Sequence, residues 1–348
     1  MRESAAPMRP LSGSVPVRID LAGGTIDIWP IHLTLPEPGV TVNAAVDLPA
    51  RVVVTPLPGD EVRLESEDRA TSARFESMED LRASLEADGP LPLLARAVEA
   101  VVPEGGVSVT TTATSPQGAG LGGSSALLAC VLATLAEAAG RGLEREDVRR
   151  LAQDLETAVV GGPTGYQDYY PPLFGGCLAL EGRPGGVRVE RLPVDLEVLS
   201  RRLRLVWTGV PHDSGLTNWG AMRAYFDGEP TTRDALLEIA VLAREARDAL
   251  RRGDLDRALD VVVAEGRVRR RMAPGITTAR IEALDAAVRA AGAVGTKPLG
   301  AGGGGCVLVV LRDGPEPAGL AGALATEGSR PLPCRLTEEG ISFMERTG

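Results

Sequence analysis

The chain of 348 residues, 44% hydrophobic and 24% charged, is long enough to bury one large core or two ordinary ones, and two are expected. Its formal net charge of −10 at pH 7 argues against non-specific binding to nucleic acid or an anionic membrane, while a locally basic phosphate pocket stays compatible with it. No apolar stretch reaches membrane-spanning length and the N-terminus lacks the apolar core of a signal peptide, so a soluble cytoplasmic protein is expected.

The first run of strand character is Val15 to Leu21, with Arg18 inside it, and it leads through a glycine turn at Gly23 and Gly24 to Thr25 and Asp27. Further strands are predicted at Thr41 to Val46, Arg51 to Leu57 and Glu61 to Leu64, followed by a helix over Pro90 to Val101 and a strand over Val107 to Thr112.

Next comes Pro116 to Ala126, read Pro-Gln-Gly-Ala-Gly-Leu-Gly-Gly-Ser-Ser-Ala, directly before an apolar helix from Ser125 to Ala139. Glycines let backbone amides approach an anion closely, and the free amides at a helix start carry the positive end of its dipole. The segment therefore reads as a phosphate cradle in which a serine can hold Mg²⁺. A plain helix N-cap would need one serine and no run of glycines. Gly118, Gly120 and Gly123 also fit the dinucleotide fingerprint, but a second helix, Arg145 to Val159, stands where a strand bearing an acid should follow. No Lys-Ser or Lys-Thr follows the glycines, which excludes a Walker loop.

Glu156 closes that second helix, and Asp168 lies in Gly161 to Tyr170, a segment too rich in turn residues to be helix. Around Gly182 to Gly186 the chain turns polar, Val187 to Leu192 reads as a strand, and a soft boundary near 190 divides a unit 1–190 from a unit 191–348. The second unit opens with a strand at Leu203 to Thr208. Helices follow near Asn218 to Phe226, Thr232 to Arg252, Asp254 to Met272 and Thr278 to Ala291. A strand at Cys306 to Leu311, a helix over Pro317 to Glu327 and a strand at Pro331 to Leu336 complete it. Strands separated by helices in two halves predict an α+β protein with the ligand between the halves.

Cys130, Cys177, Cys306 and Cys334 show neither disulfide nor zinc spacing and read as small buried hydrophobes. The histidines, His32 and His212, are too scattered for a metal cluster, so core or surface roles are expected for both. Of the 37 basic residues only Lys297 is a lysine, and it stands against a second glycine-rich loop running to Gly305. Two readings stay open for it: chance survival amid a coding bias toward arginine, or a compact cation for phosphate. The loop itself reads as a backbone turn packing against a ligand or the first loop. Arg267, Arg269, Arg270 and Arg271 read as a solvated helix face, with a site for a phosphorylated substrate as the alternative.

Three segments in order, Pro16 to Asp27, Pro116 to Ala126 and Lys297 to Gly305, resemble the motifs of the GHMP kinases, the superfamily of galactokinase, homoserine kinase, mevalonate kinase and phosphomevalonate kinase. Within it, Arg-Ile-Asp-Leu-Ala-Gly-Gly, Gly-Tyr-Gln-Asp-Tyr and Ala273 to Ile281 look most like sugar kinases of the heptose 7-phosphate kinase and fucokinase type. The resemblance implies an N-terminal domain like ribosomal protein S5 domain 2, a ferredoxin-like C-terminal domain, and ATP with Mg²⁺ between them. By that resemblance Pro116, Gly118, Ala119, Gly120, Leu121, Gly122, Gly123, Ser124 and Ser125 wrap the ATP phosphates, with Ser124 and Glu156 on Mg²⁺ and Ser125 one residue beyond. Asp168 would be the base or orienting carboxylate for the acceptor hydroxyl, and Arg18 the cation beside it. Gly24, Thr25, Asp27 and Gly303 would contact a sugar or sugar-phosphate substrate. The stretch Gly24-Thr-Ile-Asp27 departs from the galactokinase and heptose-type patterns, and Trp29 and His32 are further candidates to face the sugar, with core packing as the alternative for Trp29. A kinase of a mevalonate-like or homoserine-like alcohol and a non-catalytic nucleotide-binding regulator are the alternatives, with a monomer or homodimer expected.

Overall fold

The computed structural model describes residues 8–87, 89–102, 104–211 and 214–346, with side chains of 214–217 left out; His212 lies outside the described residues. The first half comprises β1 (Leu11–Ala22), α1 (Ile31–Thr34), β2 (Val40–Leu57), β3 (Val62–Ser66), β4 (Thr71–Phe75), α2 (Met78–Glu86), α3 (Pro92–Val101), β5 (Gly106–Ala113), α4 (Gly123–Ala138) and α5 (Arg145–Val160). It continues with α6 (Tyr170–Phe174), β6 (Cys177–Arg183) and β7 (Gly186–Arg191). Next come α7 (Leu196–Arg201), β8 (Leu203–Trp207), α8 (Ser214–Phe226), α9 (Pro230–Arg251), α10 (Leu255–Met272) and α11 (Ala279–Ala290). The chain then runs through β9 (Gly295–Pro298), β10 (Cys306–Val310), α12 (Leu320–Leu324), β11 (Arg330–Leu332) and β12 (Ser342–Glu345).

Two sheets organise these elements. The larger has the order β12-β1-β2-β5-β3-β4, with β6 paired to β2 and β7 to β6. The smaller is antiparallel with the order β11-β8-β10-β9. Counted along the chain within that sheet the order is 4-1-3-2, the ferredoxin-like arrangement. The α+β class predicted from the sequence is the class observed. One apolar core runs from the β1 and β2 face through α3 and α4 to α9, α10 and one face of the small sheet. The other face of the small sheet is covered by α11 and α12.

The two predicted strands at 41–46 and 51–57 are one long strand, β2. Its register against β1 jumps between Val17↔Val46 and Val15↔Ala50, so Asp47 to Pro49 bulge out. A proline has no amide for the ladder and is tolerated at such a bulge. The Asp47 amide bonds instead to the carbonyl of Arg335 at 2.8 Å, and Thr337 donates to Ala45 at 3.1 Å. The late chain thus laces onto the first sheet and ends there as β12, antiparallel to β1. The segment at Gly161 to Tyr170 is not wholly loop, since Tyr166–Asp168 form a 3₁₀ turn that leads into α6. The predicted helix at 317–327 shortens to α12, which is bounded by left-handed backbone at Gly319 (φ 84°) before it and at Glu327 (φ 57°) after it.

Candidate active site

The glycine-rich segment behaves as its composition dictates. Helix α4 starts at Gly123, and its N-cap, Gly122, sits in the left-handed region (φ 67°, ψ 26°) with no side-chain cap. The first-turn amides are therefore left for a ligand. They face a cleft of about 910 Å³ lined by the loop from Ser115 to Ser125, by Arg18, Asp27, Glu156 and Asp168, and across from these by Gly300 and Ala301. Leu121 is the exception within the loop: it is buried in the core, and its carbonyl accepts from the Arg18 amide at 3.1 Å. Gly122 has a second reason to be glycine. A Cβ there would lie 3.3 Å from Asp168 Cβ and 3.4 Å from Arg18 Nε, so a side chain would push that pair away from the helix start.

The second glycine loop backs onto the first. The Cys306 amide donates to the Ala119 carbonyl at 2.8 Å, and a Cβ on Gly305 would come within 3.0 Å of that same oxygen. Gly303 is not among the cleft-lining residues. Its amide bonds to Ile276 at 2.8 Å, and Gly300 and Ala301 form the wall where Gly303 was expected.

Arg18, on β1, is only 3% exposed. Its Nε and one terminal nitrogen donate to Asp168 Oδ1 at 2.9 and 2.6 Å, and the other donates to the Gly120 carbonyl at 2.6 Å. Asp168, at the end of the 3₁₀ turn, is part-exposed to the cleft. Asp27 is buried, and its Oδ2 accepts from the Gln167 amide at 3.0 Å. Burial, reinforced by the negative charges of Asp168 and Asp20, pushes its carboxyl up to about 7. Tyr166 and Arg269 also feel its charge.

A pH dependence of stability follows. The unfolded chain releases the Asp27 proton near 3.8 and the folded one near 7, so between those values the folded state holds more protons. Stability from this group is therefore undiminished below about 4, falls as pH rises, and reaches its full loss, at most about 4 kcal/mol, above about 7. In Asp27→Asn that slope should flatten; urea midpoints of variant and parent that stay parallel from pH 4 to 8 would contradict the assignment.

Helical phase separates the two serines. Ser124 is exposed to the cleft, whereas Ser125 is buried and its hydroxyl donates to Glu156 Oε2 at 2.6 Å. Tyr169 donates to the same oxygen at 2.6 Å. Burial raises the Glu156 carboxyl despite these bonds, and it has no ion-pair partner among the described residues. A buried carboxyl supplied with hydroxyls but no cation suits a hard divalent ion arriving with its own ligands. Among the described residues no three His, Cys, Asp or Glu side chains form a self-contained metal cage, so any Mg²⁺ here would take most of its ligands from phosphates and water.

Lys297 does not reach the cleft. It is fully buried, with Nζ 2.8 Å from Glu265 Oε2 and 3.1 Å from Asp20 Oδ1. Arg269 completes the group, 2.9 Å from Glu265 Oε1 and 3.6 Å from Asp20 Oδ2. The expectation of a solvated face thus fails for Arg269, because Glu265 and Arg269 share the side of α10 that buries Val261, Val262, Val268 and Met272. Arg269 donates to the Gly24 carbonyl at 2.8 Å and approaches Thr25 Oγ1 at 3.3 Å and the Gly300 carbonyl at 3.4 Å. Those three residues line the cleft, and Thr25, a β-branched residue at φ 78°, is held in a strained conformation there.

The remaining candidates separate clearly. Trp29 is 67% exposed and does not line the cleft. His32 is buried against the Tyr166 ring, 5.4 Å between centroids, where burial lowers its pKa. All four cysteines are unpaired, and burial lifts their thiols to about 12, so none is primed for reaction. A separate apolar wall of the cleft is built by Leu91, Leu93 and Leu94 near the start of α3 with Leu127, Val160 and Pro163.

Fold and cleft together define an α+β protein whose large sheet presents an uncapped glycine-loop helix to a cleft closed by a ferredoxin-like layer. The chain belongs to the GHMP kinases. The family model for the GHMP kinases N-terminal domain matches residues 92–176. The mevalonate kinase of Aeropyrum pernix is 31% identical over 238 residues, covering 66% of this chain and 68% of that one. A bifunctional fucokinase/GDP-fucose pyrophosphorylase of Arabidopsis thaliana is 25% identical over 316 residues, 86% of this chain but only 30% of the relative's length. Among solved structures, a D-glycero-D-manno-heptose 1-phosphate kinase from Bacteroides thetaiotaomicron superposes with a TM-score of 0.76 at 22% identity, covering 97% of this chain and 100% of that one.

Proposed function

We propose that the protein transfers the γ-phosphoryl group of Mg-ATP to a hydroxyl of a sugar or sugar phosphate. The observation that carries this reading is the Arg18–Asp168 pair lying against Gly122, which sets a carboxylate and a cation at the mouth of the phosphate cradle. In this reading residues 1–190 supply the cradle and residues 191–348 the opposite wall. The triphosphate lies on the amides of Gly118 to Ser125, and the adenine base lies on the wall of Leu91, Leu93, Leu127 and Val160. Asp168 orients the acceptor hydroxyl and takes its proton as the oxygen bonds to the γ-phosphorus and the bond to the β-phosphate oxygen breaks, leaving ADP and a phosphate ester. Arg18 keeps N–H donors for charge on the transferred group. Asp27 and Gln167 accept from further acceptor hydroxyls. Mg²⁺, when bound, neutralises charge on the phosphates, and Glu156 with Ser124 or Ser125 would hold it.

Support for a sugar acceptor comes from the fucokinase and heptose kinase relatives. The Aeropyrum mevalonate kinase, at 31% identity, supports the second reading, a kinase of another alcohol. ADP release measured with hexoses, 6-deoxyhexoses, heptoses, their phosphates, mevalonate and homoserine tests both. Release with a sugar compound bears out the first; release with mevalonate or homoserine alone replaces it with the second. Nucleotide binding without release from any acceptor would instead favour a non-catalytic regulator. Glu156→Gln is expected to need at least about tenfold more Mg²⁺ for half-maximal rate. An unchanged Mg²⁺ titration would remove Glu156 from the metal.

A further inference from the structure

The charges around the acceptor end carry the sugar-kinase reading one step further, and this step rests on that reading. We infer that the acceptor is an uncharged sugar, recognised by its hydroxyls, and not a sugar phosphate or an alcohol bearing a carboxylate.

A phosphate ester in a closed site needs a cation or several free amides to replace its hydration. The cations near Asp27 are already committed. Lys297 and Arg269 are buried and locked between Asp20 and Glu265, out of reach of the cleft. Arg18 is bonded to Asp168 and to the Gly120 carbonyl beside the phosphate cradle, so the N–H groups it keeps serve the transferred group there and not a second anion on the acceptor. Arg69 also lines the cleft, but from the turn between β3 and β4. β3 is separated from β1 by β2 and β5, about 14 Å at ordinary strand spacing. Residues 212–217 contain no lysine or arginine. Among the described residues the carboxylates of Asp20, Asp168 and Glu265 already match the cations Arg18, Arg269 and Lys297, and Asp27 adds negative charge as pH rises through about 7, so no positive charge is left over for an anion.

What the wall does offer is hydrogen-bond acceptors. Asp27 and Asp168 supply carboxylate oxygens, and Gln167 lines the cleft with its buried Oε1 lacking a partner. Such a surface matches groups that donate, as sugar hydroxyls do and a phosphate dianion does not. An anionic group placed there would meet the Asp168 carboxylate and, among the described residues, no free cation, with only neutral donors such as Gln167 Nε2 and the Thr25 hydroxyl in compensation, a mismatch that disfavours it in a desolvated site.

The experiment uses the full chain with Mg-ATP and compares free L-fucose, D-galactose and a free heptose with phosphate esters of the same sugars, alongside mevalonate and homoserine. The best free sugar is expected to exceed its own ester in kcat/KM by at least about 100-fold. In Asp27→Asn, which removes one carboxylate from the wall, that ratio should shrink about tenfold. An ester used as well as or better than the free sugar overturns the inference and leaves the sugar-kinase reading standing. Preference for mevalonate or homoserine overturns both. If no acceptor releases ADP, the kinase reading fails and calorimetry in the presence of Mg-ADP decides. Free sugar binding at least about tenfold tighter than its ester upholds the inference, while equal binding, tighter ester binding or no binding by either overturns it.

Discussion

Asp168→Asn is expected to lower kcat by about 10³-fold while leaving ATP affinity within a factor of about three. Asparagine is isosteric and keeps an oxygen for Arg18 Nε, now 2.9 Å from Asp168 Oδ1, so the arginine keeps its place beside Gly122. What disappears is the negative charge that draws the acceptor proton and the group able to receive it. The nucleotide is held elsewhere, by the amides at the start of α4 and the apolar wall by α3, which accounts for the unchanged affinity. Single-turnover phosphoryl transfer and calorimetric ATP binding measured on the same preparation separate the two effects. Turnover close to that of the parent would remove Asp168 from the chemistry, and a parallel collapse of ATP binding would make its role structural.

Arg269→Met should destabilise the fold by about 3 to 5 kcal/mol, because it leaves Glu265 and Asp20 sharing a single cation, Lys297, in the buried interior. The cost is the uncompensated buried charge rather than lost packing, since methionine fills much of the arginine stem's volume. Adding Glu265→Gln to the variant should therefore recover part of the loss. Arg269→Lys is not a mild control, since one ammonium cannot replace two terminal nitrogens, one bonded to Glu265 and the Gly24 carbonyl and the other facing Thr25 Oγ1 and the Gly300 carbonyl. Denaturation in urea reads the effect. A loss under about 1 kcal/mol would show that the four charges contribute little.

The parts of the site legible in the sequence are those whose chemistry is local. A glycine that must sit at positive φ, as Gly118, Gly120 and Gly122 do, announces itself by identity, and so does the helix that follows. Arg18 and Asp168 were nameable through the motif resemblance, and the structure brings them within hydrogen-bond distance across 150 positions. The two serines were not separable in one dimension; only the start of α4 at Gly123 fixes which of them is buried against Glu156 and which opens to the cleft. The buried charge group left no readable trace, because Arg269 and its Gly24 contact lie 245 positions apart and an arginine run looks the same solvated or interred. Lys297 stood out by identity, yet neither a phosphate contact nor simple survival describes its pairing with Asp20 and Glu265. Among the strands, β6 was masked by Gly175 and Gly176 before it and Gly182 within it, and β12 by its uniformly exposed residues, which show no alternation to detect.

The pairing of β12 with β1, from Leu11↔Glu345 to Ser14↔Ser342, has a consequence for biosynthesis. Strand β1 leaves the ribosome well before its outer neighbour, which follows only after both glycine loops and the whole small sheet. At ordinary elongation rates of about 5–20 residues per second, that edge waits roughly 15 to 60 s for its partner. During this interval Leu11 to Ser14 offer unpaired amides and carbonyls to any other nascent strand. A message truncated shortly before the codon for Ser342 would therefore yield a chain with its phosphate cradle assembled and a sheet edge permanently open to self-association.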